Sequence, residues 1–283
     1  MAQKVTSVAI FTDCDDKNAR FRQSLRIQQL FGVTPIITGI TSDSEAGFHI
    51  VDALDATLNV EGPDEGYSII LVNIAPRDGE VRGRELNGTH FCYFWVGRAL
   101  VALTFNKSML ALAKKLSLTD RILAVDIPEV TKQAVRHGLL EERFRQYICE
   151  TQFRSFEFLP RLARWLVNGL NPIEYTFFLK NVFIEDLVPD ARPSVAYVDR
   201  FGNVKTTLLL DELKTARSNV SGSGLGRYAC LPFYPRLSNV PDDGKPAWVV
   251  GSSGFGERRF CEIVINGGRA SEYFGLKAGQ PLC

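Results

Sequence analysis

Three short stretches carry residues whose types and spacing suit ligand chemistry. In Val195-Ala-Tyr-Val-Asp-Arg-Phe-Gly-Asn203 an apolar run with a period of two ends in Asp199 and Asn203, a carboxylate and an amide four residues apart across a glycine turn. Glycine accepts backbone angles closed to other residues, so the chain can reverse tightly there. Asp199 and Asn203 can then face one small polar ligand with Phe201 beside them, or they can hydrogen-bond their own turn. In Phe11-Thr-Asp-Cys-Asp-Asp16 three carboxylates follow an apolar segment, and the C-terminal ends of strands are where open α/β sheets bind ligands. Asp15 and Asp16 also suit the positive N-terminus of a following helix, which leaves Asp13 as the better ligand candidate. Asn266-Gly-Gly268, taken alone, reads as a plain turn.

The composition sets bounds on the function. The chain has 283 residues, of which 45% are hydrophobic and 23% charged, with a net charge of +1. That is ordinary for a globular protein with room for two domains, and it offers no basic excess for nucleic acid. No apolar run approaches the roughly 20 residues that span a bilayer. The start runs directly into a strand-like segment with no signal region, so a cytoplasmic, soluble protein without a membrane partner is expected. The six cysteines (14, 92, 149, 230, 261, 283) form no Cys-x-x-Cys pair, and the three histidines (49, 90, 137) lack metal-ligand spacing. No metal site, disulfide framework or histidine-rich active site is expected.

Elements to position these residues follow from periodicity. Val5 to Phe11 reads as a strand and Asn18 to Phe31 as a helix with Phe21, Leu25 and Leu30 as its apolar stripe. Thr34 to Ile40 reads as a strand, and Ser42 or Ser44 caps a helix over about 46 to 58. Ser68 to Ile74 is a nearly continuous apolar run, as a strand buried on both faces would be. Phe91 to Val96, Val101 to Phe105 and Ile122 to Ile127 are strand-like, and helices are expected over 110–116, 129–138, 140–149 and 155–168. Alternating strands and helices predict an α/β N-terminal domain with a mainly parallel sheet over 1–180. A proline-bearing linker covers 181–193, and a small β-rich C-terminal domain covers 194–283, where helical periodicity is scarce. Ser221 to Gly226 reads as a flexible connection, and Leu231 to Pro246, with four prolines, as a surface insertion.

Several stretches together resemble one family. Val195 to Asn203 is similar to the signature strand of the S-adenosylmethionine hydroxide adenosyltransferases, whose superfamily includes the fluorinases and chlorinases. Gly251-Ser-Ser-Gly254, Glu262 to Glu272 and Gly275-Leu-Lys-Ala-Gly-Gln-Pro281 resemble that family's closing segment, and Phe11-Thr-Asp13 and Pro76-Arg-Asp-Gly79 fit its N-terminal half. The resemblance implies an α/β domain followed by a β-barrel-like one. It also implies a homotrimer, and an adenosyl ligand held between the N-terminal domain of one subunit and the C-terminal domain of the next. S-adenosylmethionine is substrate or ligand there, and no other cofactor is implied. By position, Asp13 would take the ribose hydroxyls, and Asp199 and Ser252, with Ser253 beside it, the methionine portion. Asn203 and the backbone at Asn266 and Gly267 would read adenine, with Phe201 and Tyr228 packing on the adenosine.

The pattern breaks where the family activates water. Its Asp, Arg and His set corresponds here to Ala75, Arg82 and Phe153, and its Asp-Asn-Gly to Trp95-Val-Gly97. Arginine stays protonated, so Arg82 cannot serve as a base. Asp78, three residues beyond the missing carboxylate, is the candidate replacement, so Arg82 and Asp78 stand as the catalytic candidates. Two readings remain: hydrolysis of S-adenosylmethionine to adenosine and methionine, or a degenerate binding module that holds an adenosyl ligand without hydrolysis. A nucleotide bound through Arg77, Arg82 and Arg84 is a third, against which those arginines are a solvated loop.

Overall fold

The computed structural model describes residues 3–59, 66–74, 90–169, 182–218 and 224–282. In chain order the first elements are β1 (Val5–Thr12), α1 (Lys17–Phe31), β2 (Ile36–Gly39), α2 (Asp43–Leu58), β3 (Tyr67–Asn73), β4 (Phe91–Val96), β5 (Ala99–Thr104), α3 (Lys107–Lys115) and β6 (Arg121–Val125). They are followed by α4 (Ile127–Arg136), α5 (Glu142–Glu150), α6 (Arg154–Glu157), α7 (Leu159–Val167), β7 (Val182–Phe183) and α8 (Ile184–Leu187). The remainder comprises β8 (Val195–Val198), β9 (Val204–Leu209), α9 (Leu210–Ser218), β10 (Phe233–Tyr234), β11 (Pro246–Phe255), β12 (Arg258–Ile265) and α10 (Ala270–Phe274).

These elements gather into two compact units that interleave along the chain. The first takes Met1–Ile40, Val60–Asn106 and Thr119–Leu187, and the second takes Thr41–Asn59, Lys107–Leu118 and Val188–Cys283. The first is an α/β unit around a seven-stranded sheet in the order β2-β1-β3-β5-β4-β6-β7. Strands β2, β1, β3 and β5 run parallel, while β4 lies antiparallel between β5 and β6. The run Ile69-Ile70-Leu71-Val72 in β3 is buried throughout, as a strand covered on both faces requires.

Two expectations for this unit are corrected. The apolar stripe of α1 does not face inward: Phe21 is 62% and Leu25 49% exposed, whereas Ile27 is fully buried. The inward face of α1 carries Gln23, Arg26 and Ile27, so it is largely polar. The single helix expected over 155–168 is broken at Phe158 into α6 and α7. Pro160 explains the break, since it has no N–H to continue a helix and is tolerated in the first turn of a new one.

The second unit is built on a five-stranded sheet in the order β10-β11-β12-β9-β8. Its strands pair antiparallel except β10, which runs parallel to β11. Two segments of the first 180 residues, α2 and α3, belong here. Helix α2 buries seven residues from Glu45 to Leu54 and stacks Phe48 on Phe260 of β12 at 5.7 Å. Gly47 allows α3 to approach, because a Cβ there would lie 2.7 Å from the Met109 carbonyl oxygen. Ser42 caps α2 through the Glu45 amide, and the Glu45 carboxylate reaches back to the Thr41 amide and hydroxyl, both at 2.7 Å.

The C-terminal stretch also departs from a purely β expectation. Residues 210–218 form α9, whose Glu212 accepts from the Leu209 amide and from Lys115. The segment read as a surface insertion contributes β10 to the sheet edge and buries Val240.

Candidate functional site

In the α/β unit, β1 is flanked by β2 on one side and β3 on the other. The chain therefore crosses β1 between its second and third strands. Such a point of reversal opens a crevice beyond the strand C-termini. The Asp13 amide donates to the Asn73 carbonyl at 3.2 Å, which carries the β1–β3 pairing one residue past β1. Thr12 is fully buried and its hydroxyl accepts from the Cys14 amide at 3.0 Å. Asp16 caps α1, accepting from the Asn18 and Ala19 amides at 2.9 and 3.0 Å. Asp15 pairs with Arg20 and lies over Gly39, where any Cβ would collide with its carboxylate. The half-buried Asp13 is thus the one of the three acids at the strand end itself. Beside it opens a cavity of about 670 Å³, whose walls include Thr12, Cys14, Asn73 and Phe153.

In the β unit, the turn after β8 and the loop after β12 meet. Asp199 Oδ1 accepts from the Phe201 and Asn203 amides at 2.9 and 3.0 Å, and Oδ2 accepts from the Asn203 side-chain amide at 3.0 Å. The self-bonded turn and the ligand-facing turn are therefore compatible, because the internal bonds leave the carboxylate unsaturated. A carboxylate offers about four acceptor positions, and one on Oδ2 stays open. One amide hydrogen and Oδ1 of Asn203 also make no hydrogen bond among the described residues. Phe201 is 59% exposed, leaving a ring face available. Gly202, at φ +82°, packs its Cα against the Arg269 side chain. The Ser271 amide donates to the Gly202 carbonyl at 2.9 Å, and Arg269 donates to the Arg200 carbonyl at 2.9 Å. These bonds tie Arg269 and Ser271 of the loop to the turn, and Asn266 and Gly267 begin the same loop. Asn266 is anchored through its side-chain amide to the Val240 carbonyl at 3.1 Å, and Gly267 is exposed at φ +70°.

The remaining candidates of this unit lie elsewhere. Pro246 pairs with Ile265 at the end of the sheet that carries these loops. Ser252 is six residues further along β11, roughly 20 Å at strand rise. Ser252 is exposed, whereas Ser253 is buried and hydrogen-bonds Asp52. Tyr228 belongs to the core: its carbonyl accepts from Trp248 Nε1 at 2.8 Å and its ring meets Phe274 at 5.2 Å. Asp78 and Arg82, together with Ala75, Arg77 and Arg84, lie outside the described residues.

Burial raises the Asp52 carboxyl above its ordinary value, against the opposing hydrogen bonds from Ser253 and the Gly254 amide. A raised carboxylate pKa means the folded state holds the proton more tightly, so the charge weighs against folding once pH exceeds that of the unfolded group. Asp52→Asn keeps an acceptor for the Gly254 amide and removes the buried charge. It is expected to stabilise the fold by about 1 kcal/mol at pH 7, with the gain vanishing near pH 3. Urea denaturation at both pH values measures this.

Sequence reasoning missed the polar wall that α1 gives the cavity, formed by Arg22, Gln23 and Arg26. The available signal was Arg22 and Arg26 at i and i+4, which places them on one helix face.

The arrangement of an α/β unit and a β unit is similar to that of solved structures. A crystal structure of an uncharacterized conserved protein from Thermotoga maritima has a TM-score of 0.59 at 17% identity, covering 96% of this chain and 97% of that one. A conserved hypothetical protein from Thermus thermophilus has a TM-score of 0.55 at 18% identity, covering 97% and 98%. At those identities the likeness establishes the fold. No curated protein matches the chain in sequence. The family model of the SAM hydroxide adenosyltransferase C-terminal domain matches residues 193–283. That stretch is similar to the family's C-terminal domain and contains both polar loops. Among the described residues, no helix is long and apolar enough to cross a membrane.

Proposed function

We propose that the protein binds S-adenosylmethionine as a homotrimer and hydrolyses it slowly or not at all. The observation that carries the binding half is the pairing of the Asp199–Asn203 turn with the 266–271 loop inside a stretch similar to this family's C-terminal domain. The open position on Asp199 Oδ2 suits the ammonium group of the methionine portion. The free amide hydrogen and Oδ1 of Asn203 form the donor and acceptor pair that reads an adenine edge, and the exposed Phe201 ring supplies a stacking face. Asp13, at the end of β1, is the acceptor proposed for ribose hydroxyls.

Phe153 supports the catalytic half of the reading. It stands where the family resemblance places a histidine, it is 49% exposed, and Arg22 lies 5.8 Å from its ring. A phenyl ring takes no proton from water, and loss of a general base typically costs about 10² to 10⁴ in rate. The limiting case is a binding module without hydrolysis.

The test incubates purified protein with S-adenosylmethionine and follows adenosine by chromatography beside calorimetric binding. The reading expects saturable binding, weakened at least tenfold by Asp13→Ala, with little or no adenosine. Rapid adenosine release abolished by Asp13→Ala would overturn the catalytic half, and absence of binding would overturn both. Light scattering of the eluted protein reads the trimer.

A further inference from the structure

The cavity of the α/β unit adjoins the adenosyl reading at Asp13 and Phe153, and its arginines and Gln23 add a chemistry to which that reading gives no ligand group. Its volume of about 670 Å³ is that of a small-molecule site. Its floor is apolar, from Ile10, Ile27, Leu71, Phe91 and Leu159, and its rim carries Arg22, Arg26 and Arg154 against the single lining carboxylate of Asp16. Asp16 is already committed to the first turn of α1.

The balance of charge at the rim is positive for identifiable reasons. Arg26 is neutralised by Glu157 through bonds of 2.6 and 3.2 Å, but the same carboxylate also serves Arg161 at 2.9 Å. Two guanidiniums therefore share one acid. Arg22 has no carboxylate partner among the described residues. Its guanidinium is held over Phe156 at 4.6 Å and near Phe153 at 5.8 Å, so it is oriented by ring faces while its donors stay open. Gln23, one residue on, lines the cavity with a buried Oε1 that has no hydrogen-bond partner. A buried acceptor left unsatisfied costs about 1–3 kcal/mol, and a ligand donor would recover that. A sulfonium cation is a poor match for this rim.

We propose that this cavity binds an organic anion: an apolar or aromatic body against the floor, a phosphate monoester or carboxylate at Arg22, and a hydrogen-bond donor to Gln23. This deepens the adenosyl reading at its Asp13 end, while the contacts proposed for the anion, at Arg22 and Gln23, are separate from the loops at Asp199 and Asn266. The body fills the volume between α1 and the sheet, and the anion sits at the rim where Arg22 and Arg26 converge one helical turn apart.

The experiment uses calorimetry on the full chain with adenosine, adenosine 5′-monophosphate and 3-phenylpropionate. At least one anion is expected to bind ten times or more tightly than neutral adenosine, and its affinity should fall with added salt. The monophosphate binding alone assigns a phosphate ligand; phenylpropionate binding alone assigns a carboxylate one. Arg22 is exposed and makes no ion pair among the described residues, so Arg22→Ala should fold normally by thermal unfolding and lose tenfold or more for the anion while leaving adenosine unchanged. Gln23→Met should weaken the monophosphate, which carries donors, and spare phenylpropionate, which has none in its body. Equal affinity for adenosine and its monophosphate, no binding of either anion, or full anion affinity in folded Arg22→Ala would overturn the proposal. Asp199→Ala, which attacks the adenosyl reading, should leave anion binding intact.

Discussion

Glu157→Ala is expected to destabilise the α/β unit by about 3 kcal/mol, at the lower end of the cost of breaking a buried ion pair. Glu157 is 5% exposed and receives Arg26 on both carboxylate oxygens and Arg161 on one. Removing it leaves two guanidiniums facing each other with their counterion gone. Burial alone would raise the Glu157 carboxyl, but the bonds and charges of Arg26 and Arg161 prevail and lower it. The stabilisation is therefore complete above the unfolded glutamate value, about 4.3, and is lost as pH falls through the lower folded value. The difference in urea midpoint between wild type and Glu157→Gln, followed from pH 7 to pH 3, should shrink over that acid range. A difference that stays constant to pH 3 would contradict the assignment.

Gly202→Val is expected to cost about 3 kcal/mol and to abolish binding at the paired loops. Two penalties combine. A β-branched residue at φ +82° is strained by about 1–3 kcal/mol. Its Cβ would also lie 2.6 Å from Arg269 Cβ and 3.0 Å from Arg269 Cα. The turn and the 266–271 loop cannot then keep the Ser271 amide on the Gly202 carbonyl. Gly256→Val separates the two effects, since Gly256 has φ +57° and a Cβ added there would meet nothing within 4 Å. It should show the strain alone and leave ligand binding untouched. Thermal unfolding and calorimetry on both variants read this.

What could be seen in the sequence depended on how local the signal was. The buried β3 announces itself as an unbroken apolar run, and the Asp199–Asn203 turn by a carboxylate, glycine and amide in five residues. Both are determined within a few residues, so spacing suffices. Helix α1 defeats periodicity because its side against the cavity carries Gln23 and Arg26, while Phe21 and Leu25 point to solvent; periodicity assumes that apolar side chains face inward. Helix α2 is apolar around much of its circumference, and nothing in such a pattern says which sheet it covers. Its place beside β11, β8 and Phe260 is a long-range outcome. Likewise, Ser252 and Asp199 look like partners by resemblance, but the antiparallel register of β11 on β12 sets them far apart along the sheet of one chain.

The central claim is that the paired loops of the β unit hold S-adenosylmethionine. Its most direct test is a calorimetric titration of the wild type and of Asp199→Ala, with circular dichroism confirming that both are folded. The account predicts saturable binding to the wild type and a loss of tenfold or more in the folded variant. Equal affinity in the two proteins, or no heat of binding to the wild type at millimolar ligand, would contradict it.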